Sequence, residues 1–348
     1  KKKRKERNMP NMDGGRQKVR DYLKERKLKE YVGELLFPET KIEDIDLGYI
    51  KGANNVSVSA SIHGFDTETE IASREKLEFI KERLALIKKK IKMSEELMLK
   101  LNTPRTSAEF EKAKELVFDD IDKMVLAVKT RVEAMRMEAL TTGKIAVNEN
   151  NAVVSIDYGV PSGNIKTLGG TSVWTDTASD PIKDIFEWTN SLLNTAGITP
   201  TRALTSNAIL STLLTHDKVK KDIFGLNTKS LSKKELNDFL SAQGLPTIAT
   251  YDERYRVQNE NGTYATKRFF DENKFVMMPE YALGETVYGL TPEEIELSGK
   301  AGNEISEREK VIVQIYSTKD PVARWTKAVA TALPTFPFAN EVIIAKVK

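Results

Sequence analysis

The chain has 348 residues, 40% of them hydrophobic and 30% charged, which gives a globular balance with material for two domains, or for one large domain with extensions. It contains no cysteine and two histidines, His63 and His216, so disulfides, thiolate catalysis and Cys-based zinc sites are excluded and a histidine-rich metal centre is disfavoured. The net charge of +3 is unevenly placed, because residues 1–30 carry thirteen Lys/Arg against five Asp/Glu and the remainder of the chain is mildly acidic.

The first fifteen residues, KKKRKERNMPNMDGG, are charge-dense and poor in large apolar side chains, a composition that predicts disorder. Val19, Leu23, Leu28, Val32, Leu35 and Leu36 then recur at helical spacing over 16–36, and Pro38 ends the pattern. Residues 40–70 change character: VSVSASI alternates small and β-branched residues among Gly48, Gly52 and Gly64, which predicts an extended β excursion with little to bury. A helix is predicted over 71–84; residues 85–93, ALIKKKIKM, fit either a strand or a helix, with strand preferred; and a helix start is predicted at Ser94 with Glu95 and Glu96 in its first turn.

The clearest element runs from Ser107 to Thr142. Thr106 and Glu109 have capping-box spacing, and apolar residues from Phe110 through Val125, Val128 and Val132 to Ala139 recur in steps of three and four. Gly143 stands at the C′ position. Such a helix is roughly 54 Å long at about 1.5 Å per residue, the length of a spine rather than of an ordinary packed helix. A hairpin (144–148 and 152–158) and a Gly/Ser/Thr-rich stretch (159–180) follow. Asp180-Pro181 then opens a helix closed by Gly197. Further on come a helix from Ser206 to about Leu214, a capping box at Ser232 and Glu235, a hairpin turning at Asn261-Gly262, and strands near 274–278, 311–317 and 341–347. The whole reads as α+β.

No Walker loop, GxGxxG, GxSxG or HExxH motif is present, and no catalytic, cofactor-binding or metal-binding residue is assigned. The acidic pairs Asp119-Asp120 and Glu293-Glu294 read as solvated surface charge, because neighbours on a helix diverge. His216 beside Asp217 reads as a helix start capped by Asp217, and Trp174, Trp188 and Trp325 as scattered core or interface anchors. No apolar run reaches the length of a membrane span and no secretory h-region is seen. The basic head is the one segment with a binding reading: Lys1, Lys2, Lys3, Arg4, Lys5 and Arg7 suit phosphate contacts that are blind to base sequence. A solubilising tail, a nuclear-targeting-like cluster or an arm for an acidic partner would have the same composition.

After the long helix, LTTGKIAVNENNAVVSIDYGVP, WTDTASDPIKDIFEW, FVMMPEYALGETVYGLTPEE, DPVARW and ALPTFPFANEVIIAKV follow in order. In this the chain resembles the phage lambda-type (E-type) major capsid protein family of tailed bacteriophages, over residues 35–348. The resemblance implies the tailed-phage capsid fold. It would have a basic head and N-terminal arm at 1–45, an extended β loop at 46–93, and a peripheral domain at 94–180 with its spine at 107–142. An axial domain at 181–319 and a return to the peripheral domain at 320–348 would complete it. It further implies a non-enzymatic subunit of hexamers and pentamers that assembles in the host bacterial cytoplasm. A scaffold protein, a portal and packaged double-stranded DNA would be its partners, and a decoration protein a further one. The rival readings are an encapsulin-like compartment, a nucleic-acid-binding oligomer whose active part is the basic head, and an enzyme of unrecognised type.

Overall fold

The computed structural model describes residues 28–50, 79–102, 106–149, 152–225, 229–259, 261–297, 303–320 and 322–348. In chain order it opens with α1 (Val32–Leu36), β1 (Glu39–Lys41), β2 (Asp46–Ile50), β3 (Phe79–Arg83) and β4 (Ala85–Lys92). The short helix α2 (Glu95–Asn102) precedes the long α3 (Ser107–Thr142), which turns into the hairpin β5 (Lys144–Glu149) and β6 (Ala152–Asp157). Next are β7 (Ile165–Thr167), α4 (Pro181–Ala196), β8 (Arg202–Thr205), α5 (Asn207–Thr215), α6 (Asp217–Phe224), α7 (Lys233–Ala242) and β9 (Thr247–Thr250). The hairpin β10 (Arg254–Gln258) and β11 (Tyr264–Arg268), β12 (Lys274–Met278), β13 (Thr286–Gly289) and α8 (Pro292–Leu297) follow. The chain closes with β14 (Asn303–Arg308), β15 (Val311–Lys319), β16 (Val322–Pro334) and β17 (Ile343–Lys346).

Two sheets organise these elements. One has the order β1-β13-β16-β15-β14, with β4 also paired to β16. Strand β16 runs for 13 residues, long enough to hold β15 along its first part and both β4 and β13 further on. Residues of α3 (Val125, Val128, Val132) share a core with Val313, Ala328 and Ala330 of this sheet, so α3 covers one of its faces. The second sheet has the order β7-β17-β12-β8-β9. Side chains alternate across a strand, and here the alternation feeds two cores. Leu204, Val276 and Ile344 join the core under α3, whereas Ala203, Phe275, Met277 and Ile343 join a second core with α4, α5 and α7.

Two expected helices are corrected. Over 16–36 only Val32–Leu36 is helical among the described residues, and residues 16–27 lie outside them. Tyr31 is extended (φ −106°, ψ 152°) because its ring packs on Phe269 at 5.5 Å and its hydroxyl meets Thr130 at 3.0 Å. Tertiary contacts outweigh the periodicity there. Over 71–84, the described part is the strand β3, held in five register pairs with β2. Residues 71–78 lie outside the described set, as do most of the predicted β excursion (51–70), His63 and the hairpin turn at 150–151.

Candidate functional site

The long helix supplies the site. Its N-terminus is capped by Thr106, whose Oγ1 accepts from the Glu109 amide at 3.1 Å, the first of the two bonds of a capping box, and Gly143 ends it at φ 71°. Beside the apolar stripe of α3, Lys129, Glu133 and Arg136 recur in steps of four and three, and all three are buried. Together they meet the N-terminal segment 31–41. Glu133 Oε1 accepts the Gly33 amide at 3.0 Å and the Tyr251 hydroxyl at 3.0 Å. The Arg136 guanidinium donates to Glu39 at 2.9 Å and to Thr286 Oγ1 at 2.7 Å, and lies 3.4 Å from Glu133. Lys129 pairs with Glu309, lies 3.5 Å from Glu34 and is 3.9 Å from Glu39. Tyr288 donates to Glu39 at 3.1 Å.

Burial pushes the Glu133 and Glu34 carboxyls above the ordinary carboxylate value. Burial also opposes the Lys129 ammonium, but its hydrogen bond to Glu309 and the charges of Glu39 and Glu34 outweigh that and raise its pKa. Gly33 is required by close approach, since a Cβ there would stand 2.3 Å from Glu133 Oε2. Every buried charge thus has a partner on another element. The arrangement binds one stretch of chain to the helix and offers no pair of groups converging on a reacting atom.

A second ionic cluster anchors α8 to the first sheet. Glu293 is 4% exposed, with Oε1 3.0 Å from Lys88 of β4 and 2.5 Å from Lys327 of β16. Its neighbour Glu294 takes Lys41 of β1 at 2.9 Å. The reading of Glu293-Glu294 as solvated charge is therefore corrected. The two carboxylates do diverge, but each diverges onto a lysine of the sheet beneath. Burial works against the Glu293 carboxylate, yet Lys327 and Lys88 hold its pKa below the ordinary value.

The remaining singled-out residues serve packing. Trp174 and Trp188 stack at 5.8 Å, and Trp174 meets Phe275 edge-on at 5.0 Å and donates to Asp184 at 2.8 Å. His216 is buried, with Nε2 3.1 Å from Ser179 Oγ and 3.1 Å from the Asp176 carbonyl. It ends α5 and occupies the N-cap position of α6, so the cap expected at Asp217 is displaced by one residue and has no side-chain hydrogen bond. Trp325 of β16 lies 4.6 Å from the Lys90 ammonium. Among the described residues no group of three or more His, Asp and Glu could hold a metal ion, and no helix is long and apolar enough to cross a membrane.

The basic-head residues Lys1, Lys2, Lys3, Arg4, Lys5 and Arg7 lie outside the described residues. The buried cluster on α3 was not singled out by sequence. Its signal was there, because charges at 129, 133 and 136 run alongside a stripe otherwise filled by apolar side chains.

Residues 18–347 match the family described as phage major capsid protein E. No curated protein sequence matches the chain. Among solved structures, one described as the capsid protein of a prophage of Escherichia coli CFT073 aligns with a TM-score of 0.62 at 16% identity, covering 95% of this chain and 98% of that one. A phage-related protein of Bordetella bronchiseptica RB50 aligns with a TM-score of 0.53 at 13% identity, covering 95% and 96%. At these identities the likeness is one of fold.

Proposed function

Because this chain belongs to the phage major capsid protein E family, we propose that it builds the hexamers and pentamers of an icosahedral head around double-stranded DNA. The protein is a structural capsid subunit of a phage virion, and the family match across residues 18–347 is the observation that carries this reading. Self-association is its principal interaction. A scaffold, a portal and a decoration protein are the further partners proposed, with assembly in the host cytoplasm and no catalytic step.

The division proposed is arm 1–45, extended loop 46–93, peripheral part 94–180 with a return at 320–348, and axial part 181–319. At the C-terminal end the two sheets favour bounds other than these. Strands β13 to β16 count with the sheet under α3, and β17 counts with the five-stranded sheet. The basic head, Lys1 to Arg7, faces packaged DNA in this reading, on the strength of its charge.

Negative-stain electron microscopy of the purified protein, expressed alone and with the neighbouring phage genes, tests the proposal. Closed shells or capsomer rings are expected. Monomers or dimers under both conditions would overturn it.

A further inference from the structure

Strand β4 forms one ladder, to β16, and its other edge carries no strand among the described residues. An open edge is a template for a further strand, and lysines along it commonly serve to keep it bare. Here the sequence ALIKKKIK supplies the lysines, but their partners are unequal. Lys88 is taken by Glu293. Lys89, Lys90 and Lys92 are exposed, and none has a carboxylate partner among the described residues. Lys90 rests on Trp325 instead. Glu95 and Glu96 follow at the start of α2, with Glu96 engaged by Lys100 at 2.6 Å, so the C-terminal end of β4 stays positive.

The other end of the same strand is negative. The link between β1 and β2 reads IEDID over 42–46, and it abuts β4 because the Leu84 amide donates to the Ile45 carbonyl at 3.1 Å. Glu43 is exposed there, beside Asp44, whose Oδ1 accepts from the Ile45 and Asp46 amides at 2.6 and 3.2 Å, and Asp46, with Arg83 opposite in register. Two apolar side chains lie bare beside these charges, Ile45 at 42% and Leu86 at 47% exposure. Lysines that only kept the edge soluble would not need an acidic pole or exposed apolar residues beside it. Lys89 to Lys92 lie beyond Leu84 along β4 by roughly 16–26 Å at about 3.3 Å per residue.

We propose that this open edge is an interface between copies of the chain, in which the acidic link 43–46 of one copy docks on the Lys89–Lys92 end of β4 in the next. Charges of opposite sign at the two ends of one strand are too far apart to meet within a copy, yet they match head-to-tail between copies. A contact of that kind is heterologous, and when its rotation closes it generates a ring. The inference rests on the shell reading and adds to it the residues and polarity of one contact around a capsomer.

The absence of cysteine allows a direct test on assembled full-length protein. A chain carrying both E43C and K90C is oxidised and run on a non-reducing gel. Head-to-tail docking predicts a covalent ladder rising to the ring size, whereas E43C alone or K90C alone stays monomeric. Charge reversal gives a second measurement that does not depend on disulfide geometry. K90E/K92E and E43K each lower particle yield on the order of tenfold, and a mixture of the two chains restores six-membered rings, in which they can alternate. Wild-type particles with no ladder and full yield from both charge-reversed chains would overturn the contact while leaving the shell reading intact. Normal yield with less nucleic acid retained by K90E/K92E would overturn it in favour of a polyanion-binding face. A wild type that forms no particles would remove the shell reading and the contact together.

Discussion

Arg136 is 1% exposed and Glu133 fully buried, so neither can recover solvation when its partner is lost. Replacing Arg136 by Met would leave Glu133 and Glu39 without their shared cation, at a cost of about 3–5 kcal/mol. Urea denaturation should show this as a lower midpoint, and an unchanged midpoint would mean that the cluster contributes no net stability. Gly33→Ala attacks the same contact from the other side. Its Cβ would meet Glu133 and the Arg136 stem within 3 Å, and about 1–3 kcal/mol is expected from overpacking. Glu293 has a distinct pH signature. Burial opposes its charge, but Lys327 and Lys88 depress its pKa below 4.5, so its stabilisation is present above the unfolded value and lost as pH falls through the folded one. Glu293→Gln should cost about 1.5–3 kcal/mol at neutral pH, and the gap to wild type should shrink as pH falls below the ordinary carboxylate value. A gap that stays constant with pH would show that packing, not charge, holds α8 to the sheet.

At the scale of elements, α3 is held by two dissimilar ends. Thr106→Ala removes one side-chain acceptor at an exposed terminus and should cost about 1 kcal/mol. Gly143→Ala forces a left-handed φ of 71° on a residue with a Cβ and drives that Cβ to 2.6 Å from Val160. It should cost distinctly more, by about 1–2 kcal/mol from the backbone alone, and the two midpoints measured side by side test the ranking. Both ends were legible in the sequence because capping is local chemistry. So were the Asp180-Pro181 helix start and the capping box at Ser232 and Glu235, where hydrogen bonds from Ser232 and Lys229 hold the Glu235 carboxyl down to about 2. Strand β16 was not legible. Residues 328–334 are all buried, so both faces are covered and no alternation marks them, and AVATAL reads as readily as helix. Strand β3 failed for a related reason, since its strand character comes from β2, a partner nearly thirty residues away in sequence. The ionic cluster depends on the same long-range geometry. Glu34 and Glu39 reach Lys129 and Arg136 across about a hundred residues, which no local pattern records.

In the reading proposed above, a body with two cores builds the shell and the basic head contacts DNA. Residues 28–348 hold the helix, both sheets and every ionic contact discussed above, so removing residues 1–7 should leave folding and particle formation unchanged. Its effect should fall on nucleic acid alone. The head carries six cations, Lys1, Lys2, Lys3, Arg4, Lys5 and Arg7, against the single acid Glu6. Each phosphate neutralised releases counterions, so the dependence of log K on log salt should flatten by up to about 5 on deletion. The effect is largest at low salt, where the counterion term is strongest. Repetition across a shell makes a weak contact per subunit consequential, because many tethered arms act on one enclosed polymer at high effective concentration. Filter binding across a salt series, with intact and truncated particles matched for protein, measures the slope. Equal slopes would show that the head contacts no phosphate and would leave its charge to solubility or to an acidic protein partner. A flatter slope with unaltered particle yield would place the head's role in DNA contact and outside assembly.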